Sequence, residues 1–132
     1  MSQENVEIVR RVYEAWVRGE LPGPEGLFDA QVEYVNPPAA VEPGTRQGLA
    51  AFSRAVRDVF EPLETWEIEP ERFIPAGERV AVVVRYRTRW RASGVAVEAH
   101  ESALWTVREG KVVRYEWFHG PDDALEAAGL RA

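Results

Sequence analysis

Proton transfer and water binding are the chemistries that a few residues of this chain suit by type and spacing. His119 follows Tyr115 and Trp117 at alternate positions, which places the three side chains on one face of a strand. An unperturbed imidazole has a pKa of about 6.5, so His119 is the first candidate for a general acid or base. The alternative is structural, with His119 hydrogen-bonded where the chain turns at Gly120.

Two further pairs of polar residues are candidates. Glu98 and His100 lie two apart, so they share a strand face, and the carboxylate could orient the imidazole or raise its pKa. In the reversed register both are exposed to solvent and Glu101 points inward. Tyr34 and Asn36 also share a face and could hydrogen-bond a carbonyl, a hydroxyl or a water. An asparagine before two prolines equally suits the end of a strand.

The elements that must position these residues follow from the spacing of apolar side chains. Residues 4–18 and 48–60 have the spacing of amphipathic helices, and short helical turns are predicted over 24–29 and 121–129. The second half alternates with a period of two, interrupted by glycine-containing turns. The predicted strands are residues 32–35, 64–74, 79–91, 95–107 and 111–119. This order predicts an α+β fold, with helices packed on one face of an antiparallel sheet.

The same alternation assigns side chains to the two faces of the sheet. Along residues 79–91 the even positions, apart from Thr88, are apolar or aromatic and form the core face. Arginines occupy the odd positions after Val83, on the outer face, and pair with alternating glutamates. On the next strands we favour the register that turns Ser102 inward and leaves Trp105 and Phe118 outside. Large aromatic side chains on an outer face predict a partner surface, and we expect a homodimer packed sheet to sheet.

Inward-facing aromatic and polar side chains predict a pocket for a small hydrophobic molecule, as small-ligand sites combine many apolar groups with few polar ones. On the opening helix, Tyr13 and Trp16 suit the core as well as a ligand wall. The predicted ligand-binding residues are Tyr13, Trp16, Trp66, Tyr86, Trp90, Glu98, His100, Ser102, Tyr115 and Trp117.

Composition restricts the class of protein. The 132 residues suit one domain spanning residues 1–132, and the 45% of hydrophobic residues suffices for a core. The net charge of −6 disfavours a nucleic-acid partner. With no cysteine and two histidines, we expect neither a metal nor another cofactor. No apolar run approaches the roughly 20 residues of a membrane helix, and the polar, acidic first residues predict a cytoplasmic protein without a membrane partner.

Several segments, in their order, resemble the SnoaL-like family of the nuclear-transport-factor-two-like superfamily. The resemblance covers nearly the whole chain and implies a cone: a curved antiparallel sheet that wraps three helices of the N-terminal half around an internal pocket. It also implies dimers. The matching segments are YEAWVRG (13–19), LFDAQVEY (27–34), NP (36–37), RQG (46–48), WTVREGKVV (105–113) and DALEAAGL (123–130).

The catalytic residues of such relatives match only in part. Ketosteroid isomerases have an aspartate base directly before the proline of this strand, where this chain has Asn36, and their oxyanion pair falls on Val12 and Ser102. The Tyr-x-Asn that holds water in limonene-epoxide hydrolases matches Tyr34 and Asn36, but their acid-base residues are not matched. In SnoaL-type cyclases an acidic residue often lies near the end of the last strand, where this chain has His119.

Three functions remain open at this point. The first is an enzyme acting on a hydrophobic, oxygenated small molecule by cofactor-free proton transfer or water addition, as a cyclase, isomerase or hydrolase would. His119 would then be the acid or base, with Tyr34 and Asn36 positioning a carbonyl or water. The second is a binding protein with the same pocket and no catalysis. The third is a dimerisation module whose own side chains fill the pocket.

Overall fold

The computed structural model describes residues 2–130, with the side chains of residues 3–130; Met1, Arg131 and Ala132 of the predicted domain lie outside this part of the chain. The elements are α1 (Ser2–Val17), β1 (Phe28–Asn36), β2 (Gly44–Gln47), α2 (Leu49–Phe60), β3 (Leu63–Ala76), β4 (Arg79–Trp90), β5 (Ala96–Arg108), β6 (Lys111–Phe118) and α3 (Asp123–Ala127). The six strands form one curved sheet in the order β2-β1-β6-β5-β4-β3, which confirms the α+β class and the cone.

The two long helices pack their apolar stripes into the concave face of the sheet. Val9, Val12 and Trp16 of α1 and Phe52 and Val56 of α2 are all buried. Their spacing of three and four residues repeats the helical period, which is why the sequence predicts both helices.

The third helix lies elsewhere than predicted. The prediction of a helical turn over residues 24–29 is wrong, because Gly23 and Gly26 adopt φ angles of 139° and 88°, outside the helical region. The third helix is α3, near the C-terminal end of the described chain and inside the predicted turn over 121–129. The prediction of three helices in the N-terminal half is therefore wrong.

The first two strands also differ from the sequence prediction. β1 begins four residues earlier than predicted, and β2, which was not predicted, pairs with it in antiparallel fashion. β1 pairs with β6 in parallel, with Tyr34 beside Tyr115. The other neighbouring strands are antiparallel, so a mostly antiparallel sheet carries one parallel junction.

The middle of the sheet is covered on both faces. Val80, Val82 and Val84 face the concave side, and Ala81 and Val83 face a second layer formed by α3. We call this layer the α3 cluster; its buried residues are Ala81, Val83, Leu104, Ala124 and Leu125. A strand buried on both faces does not alternate between apolar and polar residues, so the sequence pattern is ambiguous here.

The predicted faces of β5 are wrong, and a single residue in a loop is one reason. The prediction assumes a three-residue turn at residues 92–94. In the structure the Trp90 N–H donates to the Val95 carbonyl at 2.9 Å, which closes a four-residue loop over residues 91–94. One extra residue moves every side chain of a strand to the other face. Glu101 therefore faces inward beside Val84, while His100 lies beside Arg85 on the outer face.

A β-bulge in the next hairpin has the same consequence. Arg108 pairs with Lys111, but beyond the irregularity at Thr106 the register shifts by one residue, so that Trp105 pairs with Tyr115 on the inner face. Trp105 is completely buried, and the prediction that it lies outside is wrong. Phe118 does lie on the outer face, but it packs against the α3 cluster. The pair of exposed aromatics that predicted a sheet-to-sheet dimer is thus not present.

Candidate functional site

A pocket of about 190 Å³ opens between α2 and the concave face of the sheet. Strands β1, β4, β5 and β6 and the end of α1 form its other walls. An engineered cavity of about 150 Å³ holds a benzene molecule, so this pocket has room for a single small ring or a group of similar size. Its lining residues, called here the aromatic pocket, are Trp16, Tyr34, Val56, Val59, Phe60, Tyr86, Glu101, Tyr115 and Trp117.

Ring packing around Tyr115 makes one wall of the aromatic pocket. The centroid of the Tyr115 ring lies 4.4 Å from that of Trp105, 5.1 Å from that of Tyr34 and 5.7 Å from that of Trp16. The indole N–H of Trp16 donates to the Pro22 carbonyl at 2.7 Å. Interlocked rings of this kind hold their neighbours in fixed orientations, so this wall has a defined shape.

Glu101 places a carboxylate in the lining of the aromatic pocket. It lies on β5 opposite Val84, and within residues 2–130 its side chain forms no hydrogen bond or ion pair. Burial raises the pKa of the Glu101 carboxyl above its ordinary value, and the nearby His119 imidazole partly opposes that rise. A carboxyl whose neutral form is favoured in an apolar cleft can exchange a proton at a working pH nearer neutrality.

Three tyrosines line the same pocket as this carboxyl. Burial raises the pKa of Tyr34, Tyr86 and Tyr115 above the ordinary tyrosine value, so all three stay neutral at physiological pH. The negative charge of Glu101 contributes to each of these shifts, which shows that the four groups share one electrostatic environment. Neutral hydroxyls both donate and accept hydrogen bonds, as a carbonyl or hydroxyl ligand requires.

Asn36 supports the wall of the pocket. Its Oδ1 accepts a hydrogen bond from the Trp117 indole N–H at 2.6 Å, and its Nδ2 donates to the Glu42 carbonyl at 2.8 Å. Both ends of the amide are thus engaged by the protein, and the side chain does not line the aromatic pocket. The geometry makes Asn36 a positioning residue for Trp117.

His119 lies outside the aromatic pocket. It is exposed, and its ring meets the Trp117 ring edge to face with a centroid distance of 4.9 Å. His119 follows β6 rather than forming part of it. It influences Glu101 through its charge, and the structure shows no direct hydrogen bond between them.

Glu98, His100 and Ser102 lie on the opposite face of β5, and the prediction that they face the ligand is wrong. His100 Nε2 lies 2.7 Å from Glu71 Oε1, and Glu98 pairs with Arg87 at 3.0 Å. Ser102 is buried beneath α3. The four-residue loop and the β-bulge described above are the physical reason for all three errors.

Three predicted aromatic ligand residues are also placed elsewhere. Tyr13 is buried in the core behind the pocket, and Trp90 is 42% exposed near the far end of β4. Trp66 packs against Phe60 at the edge of the core, with the two rings tilted and their centroids 4.9 Å apart. Five predicted aromatic residues do line the aromatic pocket: Trp16, Tyr34, Tyr86, Tyr115 and Trp117.

Sequence reasoning missed Glu101 and three residues of α2 as lining residues. The signal for Glu101 was present, since the reversed register of β5 points it inward. Across residues 2–130, no group of three or more His, Cys, Asp or Glu side chains is arranged to hold a metal ion. Within the same residues, no helix has the length and apolar character needed to cross a membrane.

Solved structures share this architecture. An NTF2-like protein from Burkholderia xenovorans LB400 is 27% identical, with 97% of this chain and 98% of that chain covered and a TM-score of 0.73. An NTF2-like protein of unknown function from Burkholderia pseudomallei K96243 is 24% identical (93% and 95% covered, TM-score 0.77). TerC, co-crystallised with polyporic acid, is 23% identical (96% and 98% covered, TM-score 0.76).

A comparison of the sequence with family models identifies the family of this chain. No curated protein matches the chain. The family model of the SnoaL-like domain matches residues 9–115, which run from α1 to Tyr115 and include most of the aromatic pocket. This chain therefore belongs to the SnoaL-like domain family.

Proposed function

We propose that the aromatic pocket binds a small, apolar, oxygenated ring compound and that Glu101 transfers a proton on it without a cofactor. The observation that carries this proposal is the carboxyl of Glu101, which lines the pocket, has no partner within residues 2–130 and has its pKa raised by burial. Proton transfer by a positioned side chain is fastest when its pKa is near the working pH.

The chemistry this arrangement suits is proton abstraction next to a carbonyl. The ionised Glu101 would take a proton from the carbon beside the carbonyl, which leaves an enolate. A neutral tyrosine hydroxyl, from Tyr34, Tyr86 or Tyr115, would donate a hydrogen bond to the enolate oxygen. The protonated Glu101, whose proton can exchange with solvent, then returns a proton to carbon, so no oxidant, reductant or metal is consumed.

Glu101 replaces the first assignment of the acid or base to His119. His119 is exposed and outside the pocket lining, whereas its charge acts on Glu101. Tyr34 keeps its proposed role as a hydrogen-bond donor to the substrate. Asn36 acts through Trp117. The polyporic acid in the TerC crystals supports the general idea that this fold accommodates a small organic molecule.

Hydrogen-deuterium exchange tests the proposal without knowledge of the natural substrate. Cyclic ketones and 1,3-diketones of one ring are incubated with the protein in D₂O, and the loss of their α-protons is followed by NMR. We expect the wild type to accelerate exchange, and Glu101→Gln to reduce that acceleration by about 10²–10⁴-fold, as for other positioned acid-base groups. Glu98→Gln is the matched control, because Glu98 lies on the outer face of the same strand.

Two results would contradict proton transfer by Glu101. One is exchange at the wild-type rate in Glu101→Gln; the other is saturable binding of the ketones with no acceleration of exchange. The second result favours the alternative function, a non-catalytic binding protein with the same pocket.

Homodimerisation through the outer sheet face also remains a proposal. The exposed aromatic side chains that first predicted this dimer do not support it, since Trp105 is buried in the core. Away from α3 the outer face carries ion pairs, such as Arg114 with Glu33 at 3.0 Å and Arg114 with Glu116 at 3.2 Å. Such a surface would pair two copies through polar contacts. Sedimentation equilibrium at rising protein concentration distinguishes a dimer from a monomer.

A further inference from the structure

Within residues 3–130, the lining of the aromatic pocket carries a negatively charged side chain and no positively charged one. Glu101 is the charged side chain in its lining, and six aromatic rings make up most of the rest. Asp58 on α2 is a second negative group close enough to raise the pKa of Tyr34. An anionic ligand placed here would meet a carboxylate among aromatic rings.

Two positive groups lie near the pocket, but neither lines it. Arg46 lies beside Tyr34 on β2, where its guanidinium is held by the carbonyls of Pro43 and Gly44 at 3.4 and 3.3 Å. His119 is exposed outside the lining. In the described part of the chain Glu101 forms no ion pair, although the charge of His119 acts on it without a direct contact, and a ligand could supply a cation in contact with the carboxylate.

Ring faces and a carboxylate together form the environment that attracts organic ammonium ions. A cation within about 6 Å of an aromatic centroid is stabilised by the ring quadrupole, and the effect grows when water is excluded. In a tertiary or quaternary ammonium group the charge is surrounded by methyl groups, so the group loses less hydration than a bare ammonium when it enters an apolar site. The volume of about 190 Å³ is sufficient for such a group.

We infer that the natural ligand of the aromatic pocket carries a compact tertiary or quaternary ammonium group, which lies among the aromatic rings with Glu101 as its counter-ion. This inference rests on the proposed function in taking Glu101 as the group that meets the ligand. It adds one charged group to the otherwise apolar compound proposed above, with the oxygenated part of the molecule towards the tyrosine hydroxyls.

The ammonium group would also help the proposed proton transfer. A base must be ionised when its substrate is bound, and burial favours the neutral form of Glu101 in the free protein. A cation beside the carboxyl favours the ionised form. Binding of the substrate would therefore generate the base.

A pair of ligands of matched shape tests the inference. Choline and 3,3-dimethylbutan-1-ol differ in one atom, the central nitrogen or carbon, and hence in charge. 3,3-Dimethylbutanoate supplies the anion. Binding is measured by titration calorimetry and by ligand-observed NMR. We expect choline to bind at least tenfold more tightly than the neutral alcohol, and the anion to bind more weakly than either.

Variants separate the role of Glu101 from general apolar binding. Glu101→Gln should weaken choline binding at least tenfold and leave the alcohol unchanged, whereas Glu98→Gln on the outer face should change neither. Circular dichroism and thermal melting establish that both variants fold. Equal affinity for choline and the alcohol, unchanged choline affinity in Glu101→Gln, or no saturable choline binding at millimolar concentrations would each overturn the inference.

The failure of this inference is distinguishable from failure of the proposed function. If ketone exchange depends on Glu101 while choline does not bind, the ammonium inference alone is wrong. If choline binds in a Glu101-dependent way while no ketone exchanges, proton transfer is wrong and the organic-cation site stands as a binding site.

Discussion

Trp105 on β5 donates a hydrogen bond from its indole nitrogen to the hydroxyl of Tyr13 on α1, over a distance of 3.1 Å. Both side chains are buried in the core between helix and sheet. Trp105 and Glu101 lie four residues apart and hence on the same face of β5. The packing that turns Trp105 towards α1 therefore also turns Glu101 into the aromatic pocket. Contacts in the core thus decide that a carboxylate lines this pocket.

Replacement of Tyr13 by phenylalanine tests the importance of this hydrogen bond. The ring packing is retained, but the buried indole N–H loses its acceptor, so we expect the free energy of unfolding to fall by about 1–3 kcal/mol. Urea denaturation followed by tryptophan fluorescence measures the change. Tyr34→Phe is the control, because the Tyr34 hydroxyl has no hydrogen-bond partner within residues 2–130. Equal stability losses in the two variants would contradict this role for Tyr13.

The sequence predicted the elements where one residue pattern dominates. The helical spacing of α1 and α2 was recognisable, since each helix buries one face, and glycine-containing turns marked the hairpins between β3 and β6. Four aromatic residues that line the pocket were identified from positions on strands, and Trp16 was identified from the spacing of α1. β2 escaped prediction because its four residues, Gly44–Gln47, are nearly all exposed and have no apolar pattern.

The register of β5 could not be obtained from the sequence. Its inner face carries Glu101 and Trp105, and its outer face carries Ser102 and Leu104, so apolar and polar residues occur on both sides. Only the exact length of the loop before it and the β-bulge after it decide between the faces, and both differ from the alternative by one residue. The role of Asn36 was hidden for another reason: its partner, Trp117, is 81 positions away in the chain.

The difference in stability between the wild type and Glu101→Gln should depend on pH with a defined sign. Because burial raises the pKa of Glu101 in the folded protein, the native state binds this proton more strongly than the unfolded chain does. Stability from this group is therefore lost as the pH rises from about 4.3, the ordinary glutamate value, through the raised pKa. Glutamine cannot ionise. We expect Glu101→Gln to melt a few degrees higher than the wild type at pH 7–8, and the difference to shrink towards acidic pH.

The comparison with the wild type isolates Glu101 from the other carboxyls. Glu71 has its pKa lowered by His100 and Arg85, so its contribution changes with pH in the opposite direction and is the same in both proteins. Thermal melts at intervals of half a pH unit give the difference curve. A difference that is constant with pH, or one that grows as the pH falls, would show that the Glu101 carboxyl is not desolvated in solution.

The hydrogen bond between Asn36 and Trp117 predicts a measurable coupling. Asn36→Ala, Trp117→Phe and the double variant form a cycle in which the coupling energy should be about 1 kcal/mol, because the two groups contact each other directly. Asn36→Ala also frees the Glu42 carbonyl, which lowers stability further. Urea denaturation of the four proteins gives the cycle, and additive stability losses would show that the Asn36 amide does not hold Trp117.

Ser102→Ala should destabilise the protein and leave the ligand site unchanged. The Ser102 hydroxyl donates to the Gly120 carbonyl at 2.6 Å and accepts from the Ala124 N–H at 3.0 Å, so it fixes the start of α3 to β5. Loss of these buried bonds should cost about 1–3 kcal/mol, whereas Ser93→Ala in the exposed loop before β5 should cost less than about 0.5 kcal/mol.

Hydrogen exchange gives the local evidence for this anchor. The amides of Asp123–Ala127 should exchange faster in Ser102→Ala than in the wild type, because α3 has only five residues and depends on its contacts with the sheet. Choline and ketone binding should be the same in both proteins, since Ser102 lies on the face of β5 opposite to Glu101. A large loss of ligand affinity with unchanged exchange in α3 would mean that Ser102 faces the pocket in solution.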